Sequence, residues 1–509
     1  MSIQHATVTI SRFFEEIFSG QYGRKRALGL IIALAGVCGI AATLLYLFEA
    51  DMRIVIAFAG ISGFTLLVLM MVSFHEWLIL LAILVGHSVF YGKPPALGLR
   101  IYNAIGPGDV FWFVAFICAI TYWYGQKDAP RFPPLLFWIF VALASYTVIY
   151  IMIAFFFWKI RDIALVQAVG WLYFSVAFPT YYCLTTGRIW KPFYLLLLLT
   201  LYAAGTLAAF AELGVFEGLI NRTGFGGIEG RTWGDDAVKT EYLGMGVTVT
   251  LIAFTVMAFA RKITWRYYAT GAFLSGVLLV FVDRGRVHYL GLVLALVLLC
   301  FFIPTAGRLR ATFYAFTAIL VTILIIQAIG GTIADKFNRA VAVAQKRVEL
   351  STPEAIKYDP GLLGRERLLR EGYVIFKENP LFGGGPGTIF GYRIEWTNWT
   401  TVPLPFVDNS WLYPLAVVGI VGFSGIMLVY LSFIGANIWA LQKLRNPLHR
   451  ALAGIPMAFL VGFLLPSSFV TWWLVDRFHV AAYSIGVAVA LALVYHEKKY
   501  GSDIPVVEF

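Results

Sequence analysis

The stretch Tyr194-Leu-Leu-Leu-Leu-Leu-Thr-Leu-Tyr-Ala-Ala-Gly-Thr-Leu-Ala-Ala-Phe-Ala211 contains no charged residue and no alternation of polar and apolar positions. In hydrocarbon every backbone N–H and C=O must find a partner within the protein, which leaves helices and closed barrels as spanning structures. A barrel strand would alternate over roughly ten residues. A continuous apolar run close to the ~20 residues needed to cross a bilayer reads as a membrane helix.

The same reading extends along the chain. Of its 509 residues, 60% are hydrophobic and 13% charged, against roughly 45–50% and about 25% in a soluble domain. A large soluble protein is excluded. Fourteen apolar spans are expected, centred near residues 38, 63, 83, 116, 145, 173, 202, 251, 275, 295, 321, 423, 460 and 487. The expected fold class is an all-α polytopic membrane bundle of about 12–14 transmembrane helices. Residues 1–27 form a first cytoplasmic segment, with Arg24, Lys25 and Arg26 ahead of a retained helix, since the run Ala27 to Phe48 is too long for a signal core. The remaining divisions are helices 1–7 over 28–211, an outer loop over 212–241, helices 8–11 over 242–330, a long outer loop over 331–409, helices 12–14 over 410–496 and a tail over 497–509.

The net charge is +11. With residue 1 placed on the cytoplasmic side, the 39 Lys and Arg divide into 18 inside and 21 outside, and the 28 Asp and Glu into 7 and 21. That excess of inner cations is the positive-inside pattern, so the basicity reports topology and gives no warrant for nucleic acid as a partner. Cys38, Cys118, Cys183 and Cys300 all fall in apolar runs without Cys-x-x-Cys spacing, so neither a disulfide framework nor a zinc site is encoded.

Outer loops longer than about 15 residues are usually functional or disordered. The longer one here has helical periodicity at Ile333, Phe337, Val341, Ala344 and Val348 and again at Leu362, Leu369, Tyr373 and Phe376, so two amphipathic helices are expected in it. The second helix ends at Asn379-Pro380 before the sharply turning run Leu381-Phe-Gly-Gly-Gly-Pro-Gly387. The glycines are no P-loop, because a helix precedes them and the Lys-Ser/Thr ending is missing.

Charges beside apolar spans are the residues whose cost demands a reason. Asp283-Arg284-Gly285-Arg286 makes a tight turn between two spans, with His288 just beyond. It reads either as a hairpin snorkelling into headgroups or as an anion site, since forked guanidiniums match phosphate oxygens. Arg222, Arg231 and Lys239 share a glycine-rich loop with Asp235 and Asp236, a composition that also fits plain solvated surface. Trp233, Trp396 and Trp399 fit either sugar stacking or an interfacial aromatic belt. Asp408-Asn409 stands at the mouth of a span, where a carboxylate near arginines is a candidate general base and either residue is a candidate helix cap. Metalloprotease and serine-hydrolase motifs are missing, and no metal or cofactor is expected.

Taken in order, these pieces resemble the O-antigen ligase and Wzy-type polymerase superfamily of bacterial envelope glycosyltransferases. Gly364-Arg365 through Gly372-Tyr-Val-Ile-Phe-Lys-Glu-Asn-Pro-Leu-Phe-Gly-Gly-Gly-Pro-Gly387 resembles the family's Arg-led helix and Pro-Leu-hydrophobic-Gly-x-Gly-x-Gly turn. Asp408-Asn-Ser-Trp-Leu412 and Val418-Gly-Ile-Val-Gly422 resemble its His-Asn-x-x-Leu and Gly-hydrophobic-hydrophobic-Gly helix, with Asp408 where the family has His. Asp283-Arg284-Gly285 resembles its Ser-Arg-Gly turn, and Arg231-Thr-Trp-Gly234 an Arg-x-x-Gly.

The resemblance implies a lipid-dependent glycosyltransferase bundle of the GT-C-like type. It implies transfer of a glycan from undecaprenyl diphosphate to a sugar hydroxyl, inverting and metal-independent, at the periplasmic face of a bacterial plasma membrane. Polysaccharide-assembly proteins are further expected partners. Under it, Asp408 is the base; the related peptidoglycan polymerases of the shape, elongation and division type also use a carboxylate. Arg284, Arg231 and Arg365 hold the diphosphate, Asn409 orients the hydroxyl, and Arg286, Arg222 and His288 are second choices. The favoured reading is a polymerase of surface polysaccharide, with a ligase as alternative. A transporter is the reading from another class, but it would place ionisable residues near the midplane and repeat its halves, whereas the charges here gather at the outer face.

Overall fold

The computed structural model describes residues 130–157, 170–186, 189–212, 243–282, 286–331, 360–385, 387–395, 400–403, 411–464 and 477–509, with the pieces 167–168, 228–230, 238–240, 334–335, 337–338 and 341–342 and the single residues Phe116, Ile120, Gln345, Val407 and Asn409. The spans expected near residues 38, 63 and 83 lie outside the described residues.

In chain order come α1 (Pro134–Phe157), a 3₁₀ turn (Tyr173–Val176), α2 (Ala177–Thr186), α3 (Trp190–Glu212), β1 (Ile228–Gly230), β2 (Val238–Thr240), α4 (Leu243–Phe259), α5 (Ile263–Val282), α6 (Arg286–Cys300) and α7 (Thr305–Ile329). They are followed by α8 (Pro360–Glu378), β3 (Tyr392–Glu395), β4 (Thr400–Pro403), α9 (Leu412–Lys443), α10 (Pro447–Leu464) and α11 (Arg477–Tyr500). The protein is a polytopic helical membrane protein. Among the described residues, four stretches are long and apolar enough to cross a bilayer: Pro134–Ile153, Thr305–Ala328, Leu412–Lys443 and His479–Tyr500. The strands form two short antiparallel ribbons, β1 with β2 and β3 with β4, each in one of the long connecting loops.

Burial separates central from peripheral helices. The α11 span is 83% buried within the protein and the α7 span only 11%, so α11 lies in the interior of the bundle and α7 at its periphery. Leu309, Phe313, Phe316 and Leu324 on α7 are exposed, a surface that water would reject and acyl chains accept. Helices within lipid gain little from the hydrophobic effect against one another and associate through close packing at small residues. A Cβ on Gly276 of α5 would collide with Thr250 of α4, and one on Gly462 of α10 would lie 2.8 Å from the Gly291 carbonyl of α6.

At one end of the bundle the segment after α11 folds back over it. The Phe509 main-chain oxygen accepts from the N–H groups of Arg261 and Lys262 ahead of α5, and the Phe509 ring stands edge-on to Tyr194 and Trp265. His449, fully buried, ties this segment to α11. Its Nδ1 lies 2.8 Å from Glu497 Oε1, and its Nε2 accepts the Val506 N–H at 3.0 Å. The opposite end, where α8 meets α9, carries the candidate site.

Candidate functional site

α8 is amphipathic. Glu366, Arg367, Arg370 and Glu371 are exposed, Glu366 pairing with Arg370 at 2.7 Å one turn apart, while Leu368, Leu369, Ile375 and Phe376 pack on the core. It lies beside α9 with both helices running in the same direction. A Cβ on Gly372 would touch Val407 and Leu412, and eight residues further along both segments, just past the end of α8, the Pro380 carbonyl accepts the Ile420 N–H.

The glycine-rich turn that follows is built into α9. Gly419 has φ +64° and interrupts the helix. Across that break the carbonyls of Ala416 and Val417 lose their usual helical donors at Ile420 and Val421. They accept instead from Gly384 N–H at 2.7 Å and Gly385 N–H at 3.1 Å, while the Ile420 and Val421 N–H groups donate to the Pro380 and Leu381 carbonyls at 2.9 and 3.1 Å. Two hydrogen bonds of the helix are thus replaced by four to the loop. Gly383, Gly385 and Gly387 all have positive φ, at +71°, +84° and +85°, values that a side chain rarely adopts.

A second anchor comes from far away in sequence. Gln167, buried, donates through Nε2 to the Thr388 carbonyl at 2.9 Å and accepts the Gly387 N–H at Oε1 at 3.1 Å. Tyr150 of α1 adds a hydroxyl at 3.4 Å to the Val417 carbonyl. At the start of α9, Asn409 Oδ1 accepts from the N–H groups of Trp411 and Leu412 at 3.0 and 2.8 Å, a side-chain cap on amides that lack helical partners.

Of the residues singled out from sequence, Asn409 is described, and its side-chain oxygen is engaged in capping. Asp408 lies outside the described residues, between the buried Val407 and the Asn409 cap. Arg284 and Asp283 also lie outside them, between the end of α5 at Val282 and the start of α6 at Arg286, and so do Arg222 and Arg231. Arg286 and His288 fall on the first turn of α6 and Arg365 on the second turn of α8, with side chains outside the described residues. No group of three or more His, Cys, Asp or Glu side chains suited to a metal ion converges among the described residues.

Sequence reasoning missed Gln167 and the helix break. Gln167 was findable, as a polar side chain inside an otherwise apolar span that must spend its amide somewhere. Gly419 was read as part of a Gly-hydrophobic-hydrophobic-Gly helix, and nothing local to it distinguishes a packing glycine from a breaking one.

Residues 270–427 match the family model Wzy_C, whose description is O-Antigen ligase. No curated protein matches the chain. The matched segment runs from α5 through the α5–α6 turn and the glycine-rich loop into α9, the stretch that holds most of the motifs on which the resemblance rests. Over these residues the chain is similar to the O-antigen ligase family, a match that supports an O-antigen ligase- or polymerase-type role.

Proposed function

We propose that the protein polymerises undecaprenyl-diphosphate-linked oligosaccharide units into O-antigen or exopolysaccharide on the outer face of a bacterial plasma membrane. The observation that supports this reading is that one family match covers the α5–α6 turn, the loop spliced into α9 and the Asp408-Asn409 cap region together. In this reading residues 1–27 and 497–509 are cytoplasmic and the α8–α9 end faces the periplasm, the orientation that the charge asymmetry favours.

In the proposed reaction an acceptor sugar hydroxyl attacks the anomeric carbon of the donor. Its proton passes to the Asp408 carboxylate as the new C–O bond forms. The bond from the anomeric carbon to the diphosphate oxygen breaks with inversion, and undecaprenyl diphosphate leaves with the electron pair. Arg284, Arg231 and Arg365 offset the charge that grows on the diphosphate, with Arg286 and Arg222 as further cations. His288 is the alternative base.

The ligase is the second reading, favoured by the description of the matched family model itself. A strain lacking the gene, complemented with wild type, Asp408→Ala or Arg284→Ala at matched membrane levels, tests the site. Both variants are expected to fail to restore long surface glycan, and full restoration by both would exclude the assigned residues. The chain-length distribution separates the two reactions. Loss of long chains alone marks polymerisation, whereas full-length chains stranded on the lipid carrier mark ligation.

A further inference from the structure

We infer that Leu381 and Phe382, at the tip of the loop spliced into α9, are inserted among the acyl chains of the bilayer leaflet at that end of the bundle, so that the glycine-rich loop is anchored in lipid as well as in the helix. α9 spans 32 residues, about 48 Å at 1.5 Å per residue, whereas the hydrocarbon layer is only about 30 Å, or some 20 residues, deep. The run from Asn409 to Gln442 is free of charge and is closed at its inner end by Lys443, which fixes that boundary of the layer. An apolar layer counted back from Leu441 therefore ends beside Ile420 and Val421, the residues whose amides hold Pro380 and Leu381.

Surface chemistry agrees with that depth. Leu381 is 59% and Phe382 64% exposed within the protein, and Ile420 and Val421 beside them are 47% and 45% exposed. The lipid-facing surface of α9 thus continues across the loop. Along α8 the exposed side chains are Glu366, Arg367, Arg370 and Glu371, then Tyr373 and Val374, then Lys377 and Glu378, so exposed charge ends three residues before Leu381.

An irregular loop in lipid normally fails because its backbone polar groups go unpaired. Here the N–H groups of Gly383, Gly384 and Gly385 donate to Asn379, Ala416 and Val417, and the carbonyls of Pro380 and Leu381 accept from Ile420 and Val421. The splice that fills the helix break thereby lowers the desolvation cost of placing this turn at the edge of the hydrocarbon.

The test is spin-label accessibility on the full chain in vesicles of phosphatidylethanolamine and phosphatidylglycerol. Labels would be placed at Phe382→Cys, Leu381→Cys, Arg370→Cys and Leu428→Cys, the last on the exposed mid-span surface of α9, with the signal of labelled wild type subtracted. The expected result is that the labels at 381 and 382 are reached by oxygen and shielded from a water-soluble nickel chelate, like the label at 428 and opposite to the label at 370. Nickel accessibility at 381 and 382 equal to that at 370 would overturn the inference. Because the measurement reads depth and not glycan transfer, its outcome is independent of the proposed reaction.

Discussion

Gly383 and Gly419 face each other across the splice so closely that a Cβ on Gly419 would lie 2.5 Å from Gly383 N, and one on Gly383 would lie 2.7 Å from Gly419 N. Both also have positive φ. Two glycines 36 positions apart in sequence thus form one structural device, in which a broken helix and a turn complete each other's hydrogen bonds.

Gly383→Ala and Gly419→Ala are each expected to cost about 1–3 kcal/mol in backbone strain, and more through collision with main chain that cannot move aside. Gly435→Ala, in the same helix and with open space around it, should instead stabilise by up to about 1 kcal/mol. Thermal unfolding in detergent reads all three. The Gly383→Ala/Gly419→Ala double variant should lose much less than the sum, since either change alone opens the splice.

Gln167 links a preceding helical segment to the loop through both ends of its amide. Gln167→Leu would leave the Gly387 N–H and the Thr388 carbonyl without that partner, at about 1–3 kcal/mol for each buried group left unsatisfied. Gln167→Glu keeps an acceptor for Gly387 but turns an oxygen toward the Thr388 carbonyl. Both variants should raise amide exchange across residues 384–390 in hydrogen-exchange mass spectrometry. Unchanged protection there would show that the splice into α9 holds the loop unaided.

The Asn409 cap separates structure from chemistry at the start of α9. Asn409→Ala should destabilise by about 0.5–2 kcal/mol, whereas Asn409→Asp retains the accepting oxygen and favours the helix N-terminus. If capping is its role, Asn409→Asp keeps both the unfolding temperature and surface glycan. A fully stable Asn409→Asp protein without glycan would point to a direct role in the reaction.

His449 makes the fold-back of residues 501–509 sensitive to pH. Its Nε2 accepts the Val506 N–H, so the imidazole is neutral with its proton on Nδ1, directed at Glu497. Burial lowers its pKa from the ordinary imidazole value and outweighs the opposing pull of Glu497, with the neighbouring His496 also lowering it. Because the folded pKa is depressed, the stability it contributes is complete above the ordinary imidazole value of about 6.5. That stability is lost as pH falls from there through the lowered folded value. Protection of the Val506 amide should fall over the same interval, and His449→Phe should have low protection at every pH. Asn446, whose side chain caps α10 and donates to the Ser502 carbonyl, is part of the same junction.

Much of the fold was legible because a bilayer leaves the backbone few choices. An uncharged run such as Tyr194 to Ala211 can satisfy its amides in lipid only as a helix or in a closed barrel, and the lack of alternation removes the barrel. The amphipathic α8 was legible too, since Leu369, Tyr373 and Phe376 recur at helical spacing with charges between them. So was a turn at Gly383 to Gly387, from composition alone. Asn409 could be recognised as a cap candidate from residue type and position, but which of Asp408 and Asn409 supplies the oxygen is a matter of where the chain enters α9.

What only the tertiary structure decided is where that turn goes and what holds it. Nothing near Gly419 says that the helix breaks there, because the break is stable only when Gly384, Gly385, Pro380 and Leu381 replace the missing helical partners. Nothing near Gln167 says that its amide meets Gly387 and Thr388, more than two hundred residues on. Local sequence sets which backbone conformations are affordable at each position. The pairing of two unfavourable stretches, each supplying the other's unmet hydrogen bonds, exists only once distant segments are packed side by side.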